Sequence, residues 1–130
     1  MINFTIPIAP ITKKNHQQII YNKRLKRYMI VPSTQYIKYE KECKPFIPQE
    51  EINYAINIQA IFYMKTRRRV DLSNLLEALL DTLVKYKCIE DDNCNIVYSL
   101  NGSYVDYDKE NPRTEVYITK LDDVITIKNK

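Results

Sequence analysis

The alternation of apolar and polar positions predicts seven strands along the chain. The clearest lies between residues 52 and 64, where every second residue is apolar or aromatic and falls on one face. Residues 2–8 are expected at a sheet edge because Pro7 has no backbone N–H to donate. A hairpin is indicated further on, although no glycine marks its basic turn. The predicted strands are residues 2–8, 19–22, 27–31, 52–64, 95–100, 104–107 and 114–121.

Two helices are predicted between these strands. Pro32 and Ser33 begin the first, and Pro45 and Pro48 end it. The second runs from Asp71 to about residue 87, and the Asp71 carboxylate is expected to cap it by accepting from first-turn backbone amides. Its apolar stripe consists of Leu72, Leu75, Leu76, Leu79, Leu80, Leu83 and Val84. The order β, α, β, α, β, β predicts an α+β fold, a mixed β-sheet with two main helices packed on it.

Length and composition indicate one folded domain. We expect residues 1–130 to form it, with residues 122–130 as a loosely attached tail. No segment has the pattern of a membrane span or a secretory signal, so a soluble, cytoplasmic protein is expected. Three cysteines without a CxxC pair indicate neither a disulfide framework nor a thiolate zinc site. The single histidine, His16, leaves oxygen ligands for any metal, which favours Mg²⁺, with Mn²⁺ as a substitute.

The net charge of +4 is unevenly distributed. Residues 13–44 carry nine Lys or Arg against Glu40 and Glu42, whereas residues 71–92 carry six Asp or Glu against Lys85 and Lys87. This separation indicates a polyanion bound by the first segment and a cation bound by the second. The first segment also interleaves tyrosines with its cations, which suits phosphate contact and base stacking, although such rings equally pack in sheets and cores.

Helical spacing places a polar row opposite the leucine stripe of the second helix. The row consists of Asp71, Asn74, Glu77, Asp81 and Lys85, and the turn after the helix adds Glu90, Asp91 and Asp92. Clustered carboxylates repel one another, so a divalent cation that neutralises them and activates water for phosphodiester hydrolysis is expected. Arg67, Arg68 and Arg69 bring phosphate-binding charge next to this row. The alternative for these acids is an ordinary solvated helix face, a helix cap and a solvated turn.

The run TRRRVDLSNLLEALLD at residues 66–81, followed by IEDDN at residues 89–93, resembles the RusA family of Holliday-junction resolvases. The family pattern is a basic stretch, then Asp-Leu-Asp-Asn opening a helix that carries a Lys and a further Asp, and then an Asp-Asp turn. The resemblance is strongest over residues 60–100 and weaker over the first strand and the Lys13-Lys14-Asn15 loop. It implies a homodimeric, magnesium-dependent endonuclease, phage- or prophage-encoded, that makes paired symmetric nicks in four-way DNA junctions during recombination and repair.

The resemblance also implies roles for individual residues. Asp71 matches the first metal-binding Asp, and Asp92, with Asp91 as second choice, matches the Asp of the later turn. Asn74 matches the signature Asn and Asp81 the further acidic position. Expected DNA contacts are Lys13, Lys14, Asn15, Arg67, Arg68 and Arg69.

Two positions depart from the family pattern. Ser73 replaces the second metal-binding Asp, and Glu77 replaces the catalytic Lys. Glu77 lies one turn beyond Asn74, so it could restore the charge that Ser73 lacks. The lysine could be replaced in space by Lys13, Lys85 or Lys87. The same departures allow a junction- or branched-DNA-binding protein with lost or altered catalysis, and a plain interaction domain is a third interpretation.

Overall fold

The computed structural model describes residues 1–13 and 17–121, and within them two helices and seven strands form. The predictions for Lys14, Asn15 and His16, and for the tail at residues 122–130, lie outside the described residues. The helices are α1 (Thr34–Cys43) and α2 (Leu72–Lys85). The strands are β1 (Ile2–Ile6), β2 (Gln17–Asn22), β3 (Arg27–Pro32), β4 (Ile56–Met64), β5 (Val97–Ser99), β6 (Tyr104–Tyr107) and β7 (Arg113–Lys120).

Five strands form one mixed sheet around the central strand β4. β7 lies antiparallel between β1 and β4, whereas β4 is parallel to both β5 and β6. β5 pairs with the start of β4 and β6 with its end, so Met64 lies opposite Tyr107. β1 is an edge strand, as predicted, and ends before Pro7. The mixed sheet and the two helices packed on it confirm the α+β fold class.

The link between β5 and β6 is held by side chains of β4. The Asn57 amide donates to the Asn101 carbonyl (3.2 Å), and its oxygen accepts from the Asn101 N–H (2.8 Å) and the Ser99 hydroxyl (2.6 Å). The Gln59 amide donates to the Gly102 carbonyl at 3.1 Å. Gly102 has a φ of 87°, and a Cβ there would lie 2.9 Å from the Gln59 amide nitrogen, so only glycine fits without strain.

α2 packs on the sheet through its leucine stripe, as predicted. Leu75, Leu79 and Leu83 are buried in one core cluster with Ile58 and Phe62 of β4. The other members of the stripe are partly buried at the margin of this cluster: Leu72, Leu76, Leu80 and Val84. Burial of one helix face in this way turns the opposite face of α2 toward solvent.

α1 begins as predicted, because the Ser33 hydroxyl accepts from the Tyr36 N–H at 3.1 Å. It is followed directly by a short 3-10 helix, Lys44–Phe46, with Pro45 in its first turn, where a missing N–H costs little. Tyr36 and Cys43 are buried, so α1 is attached to the protein by one face.

The strand predicted at residues 52–64 begins later than expected. β4 starts at Ile56, whereas Ile52 forms an isolated parallel bridge with Ile89 and Tyr54 is 38% exposed. Alternation alone extended the strand, because Ile52 pairs with the segment that follows α2 rather than with a strand of the main sheet.

Other predicted boundaries also shift. α2 ends at Lys85 rather than residue 87, because Lys87 takes up left-handed backbone geometry with a φ of 62°. The strand predicted at residues 95–100 shortens to β5, and the strands predicted at residues 104–107 and 114–121 form as β6 and β7. The predicted hairpin forms from β2 and β3 as a separate two-stranded sheet. Neither helix in the described part of the chain has the length and apolar character needed to cross a membrane.

Leu83→Ala should lower the free energy of unfolding by about 2–5 kcal/mol, because Leu83 has no exposed surface and its truncation leaves a cavity under α2. Urea unfolding followed by circular dichroism measures the change. Ile37→Ala, at a 41% exposed position of α1, is the control and should cost less than about 1 kcal/mol. Equal stability of the two variants would contradict the packing of α2 described above.

Candidate active site

Asp71 lies where the chain leaves the sheet and enters α2. Its backbone carbonyl accepts from the N–H groups of Asn74 (3.1 Å) and Leu75 (3.2 Å), which starts the helix. The predicted side-chain cap is wrong, because the Asp71 carboxylate makes no hydrogen bond to a first-turn backbone amide. It accepts instead from the Asn74 side-chain amide at 3.3 Å. Asn74 therefore orients an exposed carboxylate at the start of α2.

The basic loop between β4 and α2 borders a cleft of about 240 Å³. The Arg67 guanidinium lies 4.2 Å from the centroid of the Tyr107 ring, in cation–π geometry. Stacking on β6 restrains Arg67, so its charge is held at the end of the sheet. Arg69 is exposed two residues before Asp71. The cleft is lined by Met64, Thr66, Arg67, Arg68, Val105, Asp106 and Tyr107. Two guanidinium groups beside a hydroxyl are suited to binding phosphate.

The acidic turn after α2 is fixed by its own side chains. The Asp91 carboxylate accepts from the Asp92 N–H (2.8 Å) and from the Asn93 amide (2.9 Å). These hydrogen bonds lower the pKa of Asp91, so it stays ionised. Asn93 in turn accepts from the Asn95 N–H (2.9 Å) and, through its carbonyl, from the Ile96 N–H (3.0 Å). Asp91 and Asp92 are both exposed on this ordered turn.

Asp81 is the point at which the charges of this region converge. Burial raises its pKa most, and the negative charges of Glu77, Asp92 and Glu40 raise it further, against the opposing effect of Lys13. Lys13 Nζ lies 4.0 Å from Asp81 Oδ2. The charge of Asp92, in the turn after α2, therefore acts on Asp81 in the second half of α2.

Glu40 of α1 belongs to this region and was not singled out from the sequence. Its carboxylate accepts from Lys85 of α2. Glu40 lies one helical turn from the buried Tyr36, and this spacing could have indicated that Glu40 is on the same face of α1. The sequence does not reveal, however, which face of α1 meets α2.

Not all predicted site residues share one location. Asp71 and Asp81 are ten residues apart on the same helix, a rise of about 15 Å, so one ion cannot bind both. Within residues 1–13 and 17–121, no three His, Cys, Asp or Glu side chains form a ready ligand set. Asp71, Glu77, Asp91 and Asp92 are nevertheless exposed oxygen donors, and none forms an ion pair with a cation of the described residues. Such donors suit Mg²⁺ chemically, so the ligand set stays a prediction.

The three lysines considered as replacements for the missing catalytic Lys differ in their surroundings. Lys85 pairs with Glu40, and Lys87 lies beyond the helix beside Glu51 and Glu90. Lys13 is the one that contacts an acidic residue of the polar row, Asp81. Both side chains of that pair are nearly half exposed, so the pair itself adds little stability.

Comparison with known proteins identifies the origin of this arrangement. A family model described as endodeoxyribonuclease RusA matches residues 7–119, which include both helices and every predicted site residue. The match leaves out β1 and the last residue of β7. No curated protein matches the chain.

Asp81→Asn should stabilise the protein at neutral pH. A carboxyl whose pKa is raised on folding adds stability that is present at low pH and is lost as pH rises through its folded pKa. In urea unfolding, the free energy of unfolding of the variant should therefore increase relative to that of the wild type as pH rises from about 3 to about 7. Asp91→Asn is the control, and its effect should have the opposite sign. The pKa of Asp91 is lowered on folding, so its charge adds stability at neutral pH, and that stability is lost as pH falls. The same pH dependence in both variants would contradict the charge cluster.

Proposed function

The chain belongs to the RusA family of endodeoxyribonucleases, and on that premise we propose that it resolves four-way (Holliday) DNA junctions by magnesium-dependent, paired symmetric nicks. The family is one of DNA-cleaving enzymes, so the chain is an endonuclease by descent. The match of the RusA family model over residues 7–119 supports the proposal most directly. We place the protein in the bacterial cytoplasm, encoded by a phage or prophage.

Asp71 and Asp92 would hold Mg²⁺, with help from Asp91 and Glu77. When bound, the ion polarises a phosphoryl oxygen and lowers the pKa of a coordinated water. Asn74 orients the Asp71 carboxylate, and the Asp91 hydrogen bonds stiffen the turn that carries Asp92. Ser73 is exposed next to Asp71 and offers a neutral hydroxyl where the family pattern has a charge. Glu77, exposed on the same side of α2, would supply that charge.

The DNA backbone would bind along the basic loop beside Asp71. Arg67 and Arg68 line a cleft at the end of β4, and Arg69 leads directly into α2. Lys13, next to Asp81, and the adjoining Lys14 and Asn15 would continue this contact. Since each phosphate contact releases counterions, binding should weaken steeply as salt increases.

A four-way junction presents two equivalent scissile phosphates, so we propose a homodimer with two-fold symmetry. Each protomer would contribute one acidic site and one basic loop. The two nicks would then fall at symmetric positions on the junction.

Ser73 and Glu77 also favour a second candidate function, a junction- or branched-DNA-binding protein with lost or altered catalysis. A site with one fewer carboxylate and no lysine at the family position has less to offer the reaction. The two candidates differ in cleavage and share DNA affinity.

Asp71→Asn should reduce magnesium-dependent cleavage of a synthetic four-way junction by about 100-fold or more, because a metal-binding charge is lost while the shape is kept. Gel-shift binding of the same junction without Mg²⁺ should persist. Glu42→Gln, at an exposed carboxylate of α1 paired only with Lys38 among the described residues, is the matched control and should cleave normally. Junction binding without cleavage by the wild type would favour the second candidate, and loss of both would overturn the proposal.

Glu77→Ala should raise the Mg²⁺ concentration needed for half-maximal cleavage by about tenfold or more, since one carboxylate leaves the ligand set. Ser73→Asp in the same chain should restore it by returning a carboxylate to the family position. The measurement is a Mg²⁺ titration of cleavage for the wild type, Glu77→Ala and the double variant. An unchanged titration in Glu77→Ala would remove Glu77 from the metal site.

A further inference from the structure

The hairpin formed by β2 and β3 stands apart from the main sheet. Its two strands pair only with each other within the described residues, in a register that sets Ile19 opposite Ile30 and Tyr21 opposite Tyr28. A two-stranded sheet of this kind is marginally stable in water without further contacts. The hairpin therefore has a surface that is available for a partner.

One face of the hairpin is apolar and open to solvent. The alternation of side chains puts Ile19, Tyr21, Tyr28 and Ile30 on the same face, with exposed fractions of 70%, 50%, 74% and 68%. The Tyr21 and Tyr28 rings meet edge to face, with centroids 5.1 Å apart. Adjacent exposed apolar and aromatic side chains of this kind can mark an interaction site.

The turn of the hairpin presents an apolar residue between two pairs of cations. Leu25 is 51% exposed and lies between Lys23-Arg24 and Lys26-Arg27. The turn is ordered, because the Leu25 N–H donates to the Asn22 side chain at 2.9 Å and Lys26 takes a φ of 52°. We refer to residues 23–27 as the hairpin tip.

The charge of the tip is not balanced by nearby sequence. The first acidic residue of the chain is Glu40, so the 39 residues before it carry cations alone. A two-fold contact between hairpins of two protomers would bring the same cations together from both sides, which is unfavourable. A polyanion with exposed apolar rings can bind the cations through its charge and the apolar face through its rings.

We propose that the hairpin tip is a wedge that opens the branch point of DNA. Leu25 inserts between base steps, the four flanking cations bind the phosphates on either side, and Tyr21 and Tyr28 receive bases that have left the stack. Insertion of an apolar side chain costs least where stacking is already interrupted, which favours a branch point over a continuous duplex. This inference rests on the proposed function, since it takes branched DNA as the substrate.

The test uses the full chain in metal-free buffer with a four-way junction that carries 2-aminopurine at its branch point. The wild type should raise the fluorescence of the probe, because the base leaves the stack. Leu25→Ala should abolish most of this rise and lower the affinity ratio of junction to matched duplex by at least about fivefold. Leu25→Met, which keeps an apolar wedge, should retain both. Ile37→Ala, an exposed aliphatic residue outside the hairpin, is the matched control.

Further measurements separate the wedge from simple charge. Lys23→Gln with Lys26→Gln should reduce the slope of log affinity against log salt by about 2 while leaving preference for the junction intact. An unchanged fluorescence rise in Leu25→Ala would overturn the wedge. Sedimentation in which Tyr28→Ser converts a dimer into monomers would assign the apolar face to a second copy of the chain, and would also overturn it. These measurements involve no cleavage, so a negative result for the wedge would not affect the Asp71→Asn test of the proposed function.

Discussion

The packing of α2 against β4 is the constraint on which the rest of the structure depends. Leu75, Leu79 and Leu83 are fixed in the core, and helical geometry then leaves no choice about where the residues between them point. The polar row of α2 is solvent-facing for the same reason that the leucines are buried. Core stability and the placement of candidate metal ligands are thus two results of one periodicity.

Repulsion between carboxylates opposes this packing. The core brings carboxylates of α1, α2 and the following turn close enough to disfavour ionisation of Asp81. Lys13 and Lys85 offset part of that repulsion, through Asp81 and Glu40. An acidic region that is only partly balanced by its own protein attracts external cations. Keeping these carboxylates together lowers stability, so the stability of the fold does not explain their arrangement.

The sequence predicted the elements that depend on local pattern and missed what depends on tertiary contact. The leucine stripe located α2, and alternation located β4, since each rests on a period that the residues themselves carry. The start of β4 was placed too early because Ile52 bridges to Ile89, a contact between distant residues. Likewise, the Asp71 cap and the contribution of Glu40 could not be predicted, because both are decided by which side chain lies nearest in space.

The hydrogen bonds that Asn57 and Gln59 make to the β5–β6 link also affect the cleft that Arg67 lines. By fixing where β6 starts, they determine that Tyr107 falls beside Met64, and so where Arg67 finds an aromatic ring to rest on. One added residue between Asn101 and Tyr104 would turn every side chain of β6 to the other side of the sheet. The length of this link is therefore tied to the position of an arginine more than thirty residues earlier in the chain.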